Sequence, residues 1–307
     1  MFNNNSAYSA LGIPIDCIGR PGGTELSPQV FREEGLIAKL GMKDGGDLNV
    51  RIDCDIRDND SGIVGIESVC RTTKIIRSKV NEMLEAGQKP FLFGGCCTAL
   101  IGAIAGARDH FGQIGLAYAD GHIDLYDGHT SPTGEAADIP IAALLGYAPQ
   151  ALMDFIGPQP PLLPEHVALL GYRDLEEAKS CGSLVSDDVN ITMAYDTNRL
   201  RQDGTTHVGE SVQLALTKNP GQYWLHLDFD VLDEIILPCT DYLMPDGLDW
   251  DELLELLMPL TGSSSLIGVS IACYNPTKDP HRIFANEIVD NLGKLFCAAK
   301  IPVGRPR

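Results

Sequence analysis

The chain has 307 residues, 44% hydrophobic and 21% charged, which excludes wholesale disorder and leaves enough apolar material for a core without structural metals or disulfides. Acidic residues outnumber basic ones 42 to 23, a formal charge of -19 that disfavours nucleic acid and anionic membrane surfaces and favours cationic small molecules or metal ions. Nine scattered cysteines without a C-x-x-C pair exclude a zinc ribbon or thioredoxin motif, suit a reducing compartment, and read mostly as small buried apolar residues.

Met1–Ala10 is polar and Asn-rich and lacks the pattern of a secretory leader, and no run of about 18 apolar residues follows. The expectation is a cytoplasmic protein without a membrane partner. From Ser27, a cap followed by Pro28, a helix carrying Val30, Phe31, Leu36 and Leu40 is expected to run to Gly41. The stretch from Gly41 to Gly46 lacks the ending of a phosphate loop. Short apolar runs then alternate with helical stretches. Expected strands are Pro90–Phe93, Ile114–Ala119, His166–Gly171, Ile191–Ala194, Tyr223–Leu227 and Ser265–Ala272. Expected helices include Thr98–His110 and one capped by Asp249 that buries Leu253, Leu254, Leu257 and Met258. Such alternation predicts βαβ units and a doubly wound, mostly parallel sheet, with 1–307 as one domain. Functional groups then belong at the carboxyl ends of the strands.

Two strand ends concentrate chemistry. Asp120, His122 and Asp124 follow Gly115–Ala119 at i, i+2 and i+4, a spacing that puts them on one face of an extended chain. Asp228 and Asp230 end a second apolar run that also contains His226. Four carboxylates on one side of a sheet repel unless cations sit among them, and oxygen-rich ligation with one imidazole suits Mn²⁺.

These residues carry a resemblance. Asp120-Gly-His122-Ile-Asp124 with Asp228-Phe-Asp230-Val-Leu-Asp233 resembles the two signature motifs of the arginase and agmatinase (ureohydrolase) family. The stretch from Gly22-Gly23 to Arg32, Gly94-Gly95-Cys96-Cys97, Gly171-Tyr-Arg173-Asp174 and Asn275-Pro276 resemble further family stretches in the same order. The resemblance implies a three-layer α/β/α fold with an eight-stranded, mainly parallel sheet, assembled as a homo-oligomer, trimer or hexamer. It implies hydrolysis of a C–N bond in a cationic guanidino compound by metal-bound hydroxide. One metal would be held by Cys97, Asp120, Asp124 and Asp228, the other by His122, Asp120, Asp228 and Asp230. Asp120 and Asp228 would bridge the ions, and Asp124 would hold the nucleophile and move its proton. One or two Mn²⁺ per chain are expected, or another divalent ion because a thiol stands at position 97.

The departures are specific. Cys97 replaces the family's first ligand histidine, and Cys96 the aspartate beside it. Ala137 stands where arginases carry a proton-shuttle histidine, with His129 nearby. Cys273 stands at the acid that grips the guanidinium, and Glu176 at the amino-acid-binding aspartate. Glu135 lies in the loop that covers the site in relatives and is a candidate substrate contact. These changes point away from free arginine and toward a modified guanidine or amidine. A similar branch is the N(omega)-hydroxy-L-arginine amidinohydrolases, which share the cysteine and a segment like Asp241-Tyr242-Leu-Met-Pro245-Asp246-Gly247. Two alternatives stay open: a catalytically impaired member with a regulatory or scaffold role, and nucleophilic catalysis by Cys97 at a helix N-terminus.

Overall fold

A computed structural model describes residues 8–297, the last by its backbone only. The leader reading of Met1–Ala7 and the burial of Cys297 lie outside the described residues. In chain order the elements are β1 (Tyr8–Gly12), α1 (Ser27–Glu33), α2 (Leu36–Leu40), β2 (Lys43–Asp47), α3 (Ile66–Glu85) and β3 (Lys89–Phe93). Next come α4 (Ala99–Phe111), β4 (Gly115–Ala119), α5 (Pro140–Leu144), α6 (Gln150–Ile156), β5 (Val167–Tyr172), α7 (Leu175–Ser180) and β6 (Met193–Asp196). The chain continues through α8 (Thr197–Asp203), α9 (Thr205–Lys218), β7 (Tyr223–Asp228), α10 (Trp250–Thr261), β8 (Leu266–Ala272) and α11 (Ile283–Cys297).

The eight strands form one sheet in the order β2-β1-β3-β8-β7-β4-β5-β6, every neighbouring pair parallel. Strand residues alternate between two cores, as period-two geometry requires. Leu92, Leu116, Tyr118, Trp224 and Ile267 meet α3 to α7 on one face. Phe91, Phe93, Ala117, Leu225, Val269 and Ile271 meet α1, α2 and α8 to α11 on the other. With both faces covered, the strands read as continuous apolar runs rather than alternating ones. Among the described residues no helix is long and apolar enough to cross a membrane.

The six expected strands are present with boundaries shifted by up to two residues. β1 and β2 lie outside those expectations. β2, Lys-Asp-Gly-Gly-Asp, contains no apolar residue, is exposed throughout, and exists because it pairs with β1 at the sheet edge. Arg32 reaches it from α1, pairing with Asp44 at 3.0 Å and Asp47 at 2.6 Å.

The single helix expected from Ser27 to Gly41 is two short ones, because Gly35 at φ 83 turns the chain between them. Ser27 is the first helical residue rather than the cap; its hydroxyl donates to the Thr24 carbonyl and accepts from Gly95 N. Asp249 does cap α10, in a reciprocal box with Glu252. Met258 turns outward and is 41% exposed, unlike Leu253, Leu254 and Leu257.

Candidate functional site

Four adjacent strands at the centre of the sheet, β3, β8, β7 and β4, end at one cavity of about 370 Å³. After β3 the chain turns through Gly94 at φ 89 and Gly95 at φ 72. A Cβ at either would press on Pro28 or on the Ile13 carbonyl, so glycine is required for the tight passage. That turn delivers Cys96 and Cys97, whose carbonyls accept the first hydrogen bonds of α4, from Ala99 and Leu100. β8 delivers Cys273 in a left-handed conformation, its N–H bonded to the Gly95 carbonyl at 2.8 Å.

β4 ends at Ala119, so the spacing of Asp120, His122 and Asp124 is not that of an extended strand. The segment is a loop in which Asp120 Oδ1 accepts from His122 N at 2.7 Å and Asp124 adopts φ 49. Likewise Phe229–Val231 is a short 3-10 turn, with Asp228 Oδ1 accepting from Asp230 N at 2.9 Å. Asp230 Oδ1 in turn accepts from Gly121 N, tying the two acidic loops together. Arg173 and Asp174 brace the same pair of loops. Arg173 donates to the Asp230 and Val231 carbonyls, and Asp174 Oδ1 accepts from Ile123 N at 3.0 Å.

The potential donors form two clusters sharing Asp120. The inner one is Cys97, Asp120, His226 and Asp228, all buried; the outer one is Asp120, His122 and Asp230. Within each, the donor atoms lie within 4.8 Å of one another. In the inner cluster Cys97 Sγ is 2.6 Å from Asp228 Oδ2, 3.2 Å from His226 Nε2, 3.6 Å from Asp120 Oδ2 and 3.7 Å from Cys273 Sγ. In the outer one His122 Nδ1 is 3.2 Å from Asp230 Oδ2 and 3.4 Å from Asp120 Oδ1.

Burial, then Asp230 and Asp120, push the Asp228 carboxyl well above the usual range. Burial and Asp230 raise Asp120, and burial and Asp120 raise Asp124 far more. Against its own burial, His122 is held protonated by Asp230 and Asp120, and Asp230 is held ionised largely by His122. His226 is the opposite: burial pulls its pKa down to about 4, so it is a neutral imidazole at pH 7. Burial also keeps Cys97 a thiol. The crowding of carboxylates against low-dielectric walls is what a divalent cation relieves. The outer set, carboxylates with one imidazole, fits Mn²⁺; the inner set, with a thiol and an imidazole, does not.

Each expected site residue has a definite place. Cys97, Asp120, His122, Asp228 and Asp230 are brought together, and Cys273 lines the cavity beside them. Asp124 also lines the cavity but belongs to neither donor cluster; its Oδ2 accepts from the Tyr118 hydroxyl. Glu135 sits behind the wall, its Oε2 accepting from Cys17 Sγ at 3.0 Å and Tyr242 OH at 3.2 Å, both of which line the cavity. Glu176 is turned away: its side chain is 89% exposed and pairs with Lys179, while Glu177 lines the cavity instead. One helical step separates the two, and the register of α7 selects the latter. Ala137 lines the wall, and His129 is exposed and outside it.

His226 is the residue that motif spacing passed over. It lies two positions before Asp228 in β7 and therefore on the same face, a signal present in the sequence. The parallel register sets Tyr118 of β4 on one side of it and Ser270 of β8 on the other. Tyr118 stacks on the imidazole at 5.1 Å between centroids and 11° between planes, and Ser270 Oγ lies 2.7 Å from Nδ1.

Comparison with known proteins agrees with this geometry. A sequence model of the Arginase family matches residues 6–294. An arginase of Bacillus caldovelox is 27% identical over 294 residues, covering 94% of this chain and 97% of the relative. An arginase of Brevibacillus brevis is 26% identical, covering 95% and 98%. The native structure of the Bacillus caldovelox arginase superposes with a TM-score of 0.83 at 25% identity, covering 95% of this chain and 98% of the other. With a family match spanning nearly its whole length, an eight-stranded parallel sheet that superposes on an arginase and two clusters of side chains able to hold metal ions, the chain belongs to the Arginase family.

Proposed function

We propose that the protein is an amidinohydrolase that cleaves a C–N bond of a guanidino compound, with a hydroxyguanidino or amidino group favoured over free arginine. The carrying observation is the cavity wall. Asp120, Asp124, Asp138, Glu177, Asp228, Asp230 and Asp241 line it, with no Lys or Arg among the lining residues. Such a wall attracts cations and repels anions.

When bound, divalent ions supply Lewis acidity there and lower the pKa of water. Mn²⁺ is the ion proposed for Asp120, His122 and Asp230. The remaining work falls to the chain. Asp124, held at Oδ2 by Tyr118, carries a proton to the leaving nitrogen. Asp138, fixed by the Ser131 and Thr133 hydroxyls, and Glu177 orient the cationic group. Tyr242, linked to Glu135 and lying edge-on to His122 at 5.9 Å, closes the wall against water. The preference over free arginine rests on the neutral thiol of Cys273 and on Ala137. Without an acid and an imidazole at those points, a permanently cationic guanidinium is gripped less and receives less help with its leaving group. A less basic hydroxyguanidine needs less of both. By the same family likeness the protein is proposed to be a homo-oligomeric, cytoplasmic enzyme, a setting that keeps its eight described thiols free.

The test is turnover by reduced, metal-loaded protein on L-arginine, agmatine, N(omega)-hydroxy-L-arginine and a formimidoyl compound. The hydroxyguanidine is expected to exceed arginine in kcat/KM by at least ~10-fold, about 1.4 kcal/mol of transition-state binding. Arginine equalling it would make the protein an arginase. No turnover of any of them by folded, loaded protein would instead favour the regulatory or scaffold role.

A further inference from the structure

We infer that the inner cluster is a site for an ion of the zinc class, Zn²⁺, Co²⁺ or Fe²⁺, bound by Cys97 Sγ, His226 Nε2, Asp228 and Asp120, with His226 taking the place that resemblance alone assigned to Asp124. The outer cluster then keeps a harder ion, and the centre is heterometallic. The inference rests on reading the cavity as a metal centre, and not on the hydrolysis proposed for it.

Three observations carry it. The first is donor chemistry. One thiolate, one imidazole and two carboxylates make a four-donor set suited to zinc, whereas Mn²⁺ prefers oxygen. The second is spacing. Two ligands of a tetrahedral ion with bonds of about 2.0–2.3 Å lie roughly 3.3–3.8 Å apart. Cys97 Sγ is 3.6 Å from Asp120 Oδ2, inside that range, and 3.2 Å from His226 Nε2, just below it. The third contact, 2.6 Å to Asp228 Oδ2, is a thiol donating to a carboxylate. Binding sends that proton to solvent and leaves a thiolate, and the pair opens around the cation.

The third observation is support around the ring. His226 is wedged between Tyr118 and Ser270, its register partners on the flanking strands. Ser270 Oγ accepts from Trp224 Nε1 at 3.0 Å and lies 2.7 Å from His226 Nδ1, where its second lone pair can accept an Nδ1–H. That tautomer leaves the Nε2 lone pair facing Cys97. A ligating histidine anchored through its other nitrogen is the usual arrangement at protein metal sites. Asp124, by contrast, stands outside the donor cluster, its Oδ2 bonded to Tyr118.

The experiment is a cobalt titration of reduced, chelator-stripped protein under argon, followed by optical absorption. A sulfur-to-cobalt charge-transfer band and intense visible bands of a four-coordinate ion are expected to saturate with the first equivalent. Zn²⁺ should bleach them, and a tenfold excess of Mn²⁺ should not. Cys97→Ser should abolish the charge-transfer band. His226→Gln should retain it, change the visible bands and weaken binding at least ~10-fold, while Asp124→Asn leaves the spectrum as in the wild type. Should Cys97→Ser fail to fold, zinc-edge X-ray absorption of the wild type serves, with a sulfur neighbour at about 2.3 Å expected. A saturated cobalt protein without the charge-transfer band, displacement by equimolar Mn²⁺, or a spectrum that follows Asp124 rather than His226 would overturn the inference. The bands are read without turnover, so an inert protein that shows them removes the hydrolase reading and leaves the ligand set standing.

Discussion

The two halves of the candidate centre share Asp120 yet are built on different supports. The inner half rests on secondary structure: His226 and Asp228 belong to β7, and Cys97 sits on the two-glycine turn between β3 and α4. The outer half rests on loops: Asp120 and His122 follow the end of β4, and Asp230 lies in a 3-10 turn. Their charge states differ in the same sense. His226 is neutral because burial outweighs its neighbours, and His122 is charged because two carboxylates outweigh its burial. The inner half thus offers a neutral thiol and imidazole, and the outer half an ionised carboxylate beside an imidazolium whose proton has to leave before the ring can ligate.

Breaking the comparison most severely means removing a group that faces the inner half while shaping the outer. Asp228 contacts Cys97 through Oδ2 and holds the Asp230 N–H through Oδ1. Asp228→Asn keeps the latter bond and weakens the charge. Activity on the best substrate is expected to fall by roughly 10³-fold, the several kcal/mol that a correctly held ion supplies, and metal content measured by mass spectrometry should fall with it.

A smaller effect sharpens the link between the halves. Tyr118 bonds Asp124 and stacks on His226, so Tyr118→Phe keeps the stack and removes the hydroxyl. If Asp124 moves a proton, kcat should drop by about 10- to 100-fold with KM nearly constant and the cobalt spectrum unchanged. A changed spectrum with kcat intact would assign Tyr118 to the metal site instead.

The smallest effect concerns stability, in the brace beneath both halves. Asp174 is 3% exposed, its Oδ2 has no partner, and burial pushes its pKa up to about 6. The unfolded chain ionises the same group near 3.8. Its contribution is therefore fully present below about pH 3.8 and is lost as the pH rises through about 6. Asp174→Asn keeps the Ile123 acceptor and removes the titration. In urea unfolding, the stability difference should shift toward the variant by about 2.4 kcal/mol between pH 4 and pH 7. A flat difference would show that Asp174 does not titrate there.

Apolar runs in the sequence marked six strands, because a strand buried on both faces has to be apolar. They could not mark β2, whose existence depends on pairing with β1 and not on burial. The break at Gly35 was legible as a glycine but lay inside a pattern that otherwise continued. At the site, motif order pointed to Cys97, Asp120, His122, Asp228 and Asp230, which the fold brings together. It pointed also to Glu176, where one position along α7 separates an exposed ion pair from the cavity wall. His226 needed tertiary information: same-face spacing with Asp228 was visible, but its neighbours Cys97, Tyr118 and Ser270 come from three other segments.

The all-exposed edge strand β2 has a consequence for how the molecule meets its own copies. Two aspartates clamped by Arg32 and two adjacent glycines, Gly46 at φ 77, give an incoming strand neither an apolar foothold nor a flat row of donors and acceptors. Growth of the sheet from chain to chain is therefore discouraged at that border.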